Sequence, residues 1–150
     1  MEERFRTFTV LITKISRDIR KIKTGEMLEF GLSNTHVSCL YYLYKEKSLS
    51  AKELMDICLE DKASLSRAIA YLEENGYLEC DSQLKKRYNS AFKLTKKGVS
   101  IAEKVAEKID NVLGFASAGL SEEKRKIMYE GLGLISENLD KYCYKFEGEK

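Results

Sequence analysis

The stretch that most limits what this chain can fold into runs from Asp61 to Tyr77, DKASLSRAIAYLEENGY. Leu65, Ile69 and Leu72, helped by Ala68, recur at helical spacing and form one apolar stripe. Asp61 stands where an N-cap carboxylate can accept bonds from the first free N–H groups. Asn75-Gly76 stands where a helix ends in a left-handed residue. With the stripe turned inward, Ala63, Ser64, Arg67, Ala70 and Tyr71 point roughly outward. That outer face is small, hydroxylated, basic and aromatic, a composition suited to the floor of a DNA major groove.

The neighbouring residues extend the pattern. Ser50 caps a short predicted helix from Ala51 to about Ile57, with Leu54 and Cys58 apolar. The tight turn Leu59-Glu60 leads from it to Asp61, which is a helix-turn-helix layout. Tyr77 to Cys80 then reads as a strand and Asp81 to Arg87 as a polar loop. Tyr88, Ser90, Phe92 and Leu94 alternate with Asn89, Ala91 and Lys93, a period of two. Lys85, Lys86 and Arg87 sit together at the loop tip. A basic hairpin attached to the end of a helix-turn-helix is a wing.

At this point the sequence resembles a known family. The run ELMDICLEDKASLSRAIAYLEENGYLE, followed by FKLTKKG, is similar to the winged helix-turn-helix of the MarR family of transcription regulators, most closely over residues 50–98. The opening DK-x-S/T-x-S/T-R, the exit LE-x-x-G-Y/L and the later LT-x-x-G all occur at the expected spacing. The family often carries Asp-x-Arg in the wing, nine and seven residues before the Thr of LT-x-x-G. Those positions are Lys86 and Tyr88 here, with Arg87 between them. The usual wing arginine is absent from its slot, and Arg87 or Lys86 is left to substitute.

Charge agrees with this reading only when it is localised. The whole chain of 150 residues carries a net charge of +2. Asp61 to Gly98 holds eight basic and five acidic residues, 8 − 5 = +3, with the basic ones concentrated in the wing. A solvated hairpin tip is the alternative explanation of such a run, disfavoured here because the run sits in a wing after a recognition-like helix. No signal peptide or run of about 18 apolar residues is visible, so a cytoplasmic protein without a membrane partner is expected. The cysteines Cys39, Cys58, Cys80 and Cys143 show no C-x-x-C spacing, so free thiols are expected and neither a zinc site nor a thioredoxin-type pair.

The flanks read as helices. From Arg4 to about Lys23, Phe5, Phe8, Leu11, Ile12, Ile15, Ile19 and Ile22 recur by threes and fours. Thr24 to Leu32 reads as a connection containing Gly25 and Gly31. Ser33 caps a helix to about Lys47, and Leu49 ends the linker before the helix-turn-helix. Thr95 caps a long helix from Lys96 to about Ser117, and Gly119 and Leu120 break it. Ser121 caps a last helix, with Glu122 and Glu123 where the helix dipole favours negative charge. Gly131 and Gly133 inside it call for a close helix crossing or a kink. Beyond Glu147 the chain is expected to fray. His36, the single histidine, reads as an ordinary packed or surface residue, and Tyr41, Tyr42 and Tyr44 as core and interface aromatics.

The expected fold class is therefore mostly α with a small β-wing: a winged helix-turn-helix flanked by N- and C-terminal dimerisation helices. The DNA-binding module spans residues 33–98, and residues 1–32 and 99–150 form the helical dimerisation region. The resemblance implies that the end helices of two subunits intertwine. It also implies a homodimeric, sequence-specific regulator of double-stranded DNA, of the repressor kind, released by a small phenolic or amphipathic effector in a cleft between the two parts. The expected DNA-binding residues are Lys62, Ser64, Ser66, Arg67 and Tyr71 of the helix, with Lys85, Lys86 and Arg87 of the wing. Arg67 would contact a base edge, or alternatively form a surface salt bridge.

Two other readings stay open: a winged-helix protein–protein module without DNA binding, and a thiol-based redox-sensing regulator. Peroxide sensors of the family usually hold their reactive cysteine in the first helix, and no cysteine precedes Cys39 here. An enzyme is not expected, nor a cofactor or a metal. One histidine, no glycine-rich phosphate loop and no G-x-S-x-G leave little from which to build an active site.

Overall fold

The computed structural model describes residues 2–80 and 90–147. It divides into two compact units, Met1–Asp110 and Asn111–Lys150.

In the first unit, α1 (Glu2–Phe5) passes through a π-helical stretch, Arg6–Val10, into α2 (Leu11–Met27). The helix outruns its expected end at Lys23. Thr24 is still helical, its hydroxyl donating to the Arg20 carbonyl at 3.0 Å, and Gly25 lies inside α2. The extra turn delivers Met27, 1% exposed, to the core. Upstream, Leu11, Ile15 and Ile19 remain about half exposed, at 49%, 50% and 48%. A 3₁₀ turn, Leu28–Phe30, ends at Gly31 with φ +65°.

Then come α3 (Asn34–Glu46), β1 (Leu49–Ser50), α4 (Ala51–Cys58), α5 (Lys62–Glu74), β2 (Leu78–Cys80), β3 (Ala91–Leu94) and the start of α6 (Lys96–Ala116). Serines set the first two boundaries. Ser33 accepts the His36 N–H, while its own N–H donates to His36 Nδ1 at 3.1 Å. Ser50 and Glu53 close a second capping box, at 2.7 and 3.2 Å.

The sheet has the order β1-β3-β2 and is antiparallel throughout. Leu49 pairs with Phe92 on one side, and Cys80 pairs with Phe92 on the other. The linker residue Leu49 is thus a strand, which the sequence reading did not include. The alternation read for Tyr88–Leu94 holds where it is described: Ser90 and Phe92 are buried and Lys93 is exposed. Phe92, at 2% exposure, joins Val37, Leu40, Leu54, Leu72 and Val105 in one core. Burying a ring of that size is worth about 1.5–3 kcal/mol.

In the second unit, Gly119 turns the chain at φ +85° and Ser121 Oγ accepts the Lys124 N–H at 3.2 Å. α7 (Glu122–Glu147) follows with no buried residue. It runs unbroken through Gly131 and Gly133, and a Cβ at either would meet nothing of this chain within 4 Å. Among the described residues, no helix is long and apolar enough to cross a membrane.

Candidate nucleic-acid interface

The helix-turn-helix is α4, a three-residue turn and α5. Leu59 follows α4 as its C-cap, and its φ of +54° reverses the chain. The turn is tied back by the Glu60 N–H to the Met55 carbonyl at 3.3 Å, and by the Thr35 hydroxyl to Glu60 Oε1 at 3.1 Å. Asp61 then caps α5 with both oxygens. Oδ1 accepts the Ser64 N–H and Oδ2 accepts the Ser64 hydroxyl, each at 2.8 Å. The backbone and then the side-chain bond from Ser64 hold the Asp61 carboxyl below the usual carboxylate range.

This cap orders the outer face. Arg67 Nη2 donates to Ser64 Oγ at 3.2 Å, so Arg67, Ser64 and Asp61 form one hydrogen-bonded row along the first turns. Arg67 is exposed, and among the described residues no carboxylate lies within ion-pair distance of it. The row supplies a pre-oriented guanidinium, the group best shaped for paired acceptors on a guanine. Lys62, Ala63, Ser66 and Ala70 are exposed beside it. The opposite stripe, Leu65, Ala68, Ile69 and Leu72, is buried.

Tyr71 departs from the outward placement read from the wheel. It is half-buried, and its ring stacks on His36 of α3 with centroids 4.2 Å apart and planes 11° from parallel. Its bulk leans onto the flank of α3, a contact that helical spacing does not reveal. His36 is a packed residue whose imidazole burial holds below its ordinary value.

The exit of α5 is as strongly built as its start. The Gly76 N–H donates to Glu73 at 2.9 Å and the Tyr77 N–H to Leu72 at 2.8 Å, a Schellman pair with Gly76 at φ +74°. The residues after the wing close onto this turn. Thr95 N–H donates to the Tyr77 carbonyl at 3.1 Å, and its hydroxyl donates to Gly76 O at 2.6 Å and accepts the Gly98 N–H at 3.0 Å. Lys97 Nζ donates to Asn75 O at 2.7 Å and stands 4.7 Å from the Tyr77 ring centre. A Cβ on Gly98 would overlap the Tyr77 carbonyl. The two glycine motifs are therefore halves of one joint, which fixes α5 against α6.

Lys85, Lys86, Arg87 and Tyr88, to which the sequence assigns the wing contacts, lie outside the described residues. Where the wing is described, Glu79 and Lys93 face each other across β2 and β3. Elsewhere, Cys39 is fully buried in α3, and Cys58, the last residue of α4, is partly buried against the same core. Among the described residues, no group of three or more His, Cys, Asp or Glu could hold a metal ion.

Comparison with known proteins matches this architecture. None of the curated proteins compared matches the chain. Among solved structures, a SlyA-like transcription regulator from Listeria monocytogenes is 24% identical, with a TM-score of 0.80 over 95% of this chain and 96% of that one. A MarR family regulator from Neisseria meningitidis is 18% identical, with a TM-score of 0.82 over 95% and 97%. A MarR family transcriptional regulator from L. monocytogenes, complexed with 26mer DNA, is 24% identical, with a TM-score of 0.81 over 93% of each chain. The family model described as "Winged helix DNA-binding domain" matches residues 35–113, more than half of the sequence. With its recognition-type helix capped at both ends and its wing strand in the sheet, this chain belongs to the winged helix DNA-binding domain family and has the fold of the MarR-type transcription regulators.

Proposed function

We propose that the chain is a homodimeric, sequence-specific DNA-binding transcription regulator of the repressor kind, acting in the cytoplasm. The observation that carries this is the outer face of α5, where Asp61 and Ser64 hold an exposed Arg67 in a fixed row. In the dimer, two such helices would enter successive major grooves about 34–36 Å apart. Arg67 would read a guanine edge, with Lys62 and Ser66 beside it on phosphates. Lys85, Lys86 and Arg87 would hold the flanking backbone or minor groove. Tyr71, stacked on His36, would serve by setting the pose of α5 on α3 more than by touching bases. Binding to DNA by a relative of the same fold supports the reading.

The dimer is supported by apolar residues that the single chain leaves exposed. These are Leu11, Ile15 and Ile19 on α2, and Ile127, Leu134 and Leu139 on α7. Residues 1–32 and 99–150 would form the dimerisation region around the module at 33–98. A small amphipathic or phenolic effector would release the protein from DNA. Fluorescence anisotropy on fragments of the protein's own upstream DNA tests the function, with sedimentation equilibrium for the dimer. Absence of binding to any duplex at low salt would end this reading and favour a protein–protein module.

A further inference from the structure

Two neighbouring residues in the first turn of α3 hold the recognition-type helix. The Thr35 hydroxyl donates to Glu60 Oε1 at 3.1 Å, in the turn that leads into α5. The His36 ring stacks on Tyr71 of α5, with centroids 4.2 Å apart and planes 11° from parallel. Tyr71 lies one turn beyond Arg67 on the same helix. The start of α3 therefore grips α5 both at its entry and beside its reading face.

The same imidazole closes the capping box of α3. His36 Nδ1 accepts the Ser33 N–H at 3.1 Å, while the His36 N–H donates to Ser33 Oγ at 3.3 Å. Nδ1 can accept only while it carries no proton, so this ring is neutral, with its hydrogen on Nε2. The glutamate or glutamine usual at this position accepts near neutral pH without that condition. Histidine makes the box depend on pH.

We propose that His36 is a positioning residue for DNA reading, through which one proton per subunit opens the α3 capping box and unseats α5. The inference rests on the proposed function. Protonation would turn Nδ1 into a donor facing the donor N–H of Ser33. It would also put a positive charge at a helix N-terminus, where the dipole opposes it. The ring would then turn away from Ser33 and leave its stacked pose on Tyr71. An imidazolium is drawn to the Tyr71 ring as well, but that attraction leaves two donors facing each other at the cap.

No neighbouring charge compensates the proton. α3 has no acidic residue in its first turn. At the end of α2, Lys23 is bound to Ser38 at 2.8 Å, and Glu60 of the turn is bound to Thr35. From α5 the Tyr71 phenol faces the ring, with Arg67 and Glu74 one turn to either side. Among the described residues, no carboxylate lies within ion-pair distance of His36. Burial holds the imidazole below its ordinary value.

The test uses the untagged full chain, in which His36 is the only histidine, so its imidazole signals are unique. In NMR titrations the Ser33 amide and the Tyr71 ring should shift with the His36 midpoint, which should lie below about 6.5. Saturating duplex should push that midpoint lower still, because DNA binds the neutral form; mere proximity to phosphates would raise it. Duplex affinity by anisotropy should fall about fivefold or more between about pH 7.5 and about pH 5.5. His36→Gln keeps a neutral acceptor for Ser33 and takes up no proton, so its affinity, at whatever level, should be equal at the two pH values. His36→Ala removes the acceptor and should bind more weakly than His36→Gln at the higher pH. A fall in affinity that persists in His36→Gln, or a wild-type midpoint that duplex leaves unmoved or raises, overturns the inference. If His36→Gln does not fold, the wild-type midpoint with and without duplex decides alone. Wild-type protein that binds duplex equally at both pH values overturns this inference only, whereas protein that binds no duplex at either pH overturns the proposed function.

Discussion

Gly98→Ala tests whether the joint between α5 and α6 holds as the geometry says. An alanine inside a helix normally gains about 1 kcal/mol over glycine. At Gly98 the added carbon overlaps the Tyr77 carbonyl oxygen and sits 3.0 Å from its carbon and 3.3 Å from Leu94 Cβ. Backbone atoms cannot swing aside, and here they are tied. Moving Thr95 and α6 outward would stretch Thr95 N–H to Tyr77 O and the Thr95 hydroxyl to Gly76 O, now 3.1 and 2.6 Å. Overpacking costs about 1–3 kcal/mol and each weakened bond about 1 kcal/mol. Against the helix gain, the net expectation is a loss of about 2–4 kcal/mol. For a chain of this size that is a fall in Tm of about 4–16 °C. Urea unfolding at fixed protein concentration measures it, with Gly25→Ala and Gly114→Ala as controls, since a Cβ at either meets nothing of the chain. If Gly98→Ala matched the controls or stabilised the protein, the proposed joint would be wrong.

Arg67→Ala should cost roughly 1–3 kcal/mol on the preferred duplex and lower the cognate-to-scrambled ratio; an unchanged ratio removes Arg67 from the reading role. Lys85→Ala or Lys86→Ala should weaken both duplexes alike and reduce the salt slope by about one unit, and titrations at several salt concentrations will sort Arg87→Ala into one class or the other. Because the folded state holds the Asp61 carboxyl below its ordinary value, its contribution is present above the unfolded carboxylate pKa and fades as pH falls through the lower folded one. Asp61→Asn should therefore flatten the acid limb of a Tm-against-pH curve, and an unaltered limb would contradict the cap's role. Deleting residues 1–23 should give aggregated or unfolded protein, because Met27 and the exposed stripe of α2 lose their support; a soluble folded monomer in sedimentation would refute the dimer.

What the sequence made legible was local. The caps at Ser33, Ser50, Asp61 and Ser121 and the exit at Gly76 each depend on a few consecutive residues, and all appear where expected. The buried stripe of α5 needed only periodicity. What stayed hidden depends on partners far along the chain. β1 is two residues long, too short to show a period, and becomes a strand only because Phe92 and Ala91 pair with it. Gly25 reads as a break, yet the burial of Met27 carries α2 past it. Tyr71 lies near the edge of the outer face, where a long side chain can fold back, and His36 is the ring that receives it.

The strand order also bears on how the protein is made. β1 and β2 both pair with β3, which leaves the ribosome after either of them. Until Ala91–Leu94 has emerged, Leu49–Ser50 and Leu78–Cys80 are open edges without their shared neighbour, and Phe92 is missing from the core. Closing the pairing from Leu49 to Phe92 also demands a long loop, which slows folding relative to purely helical contacts. A nascent chain stalled within the wing would carry a formed recognition helix on an unfinished base. Chaperone capture and proteolysis during synthesis should therefore concentrate in the interval before Leu94 is released.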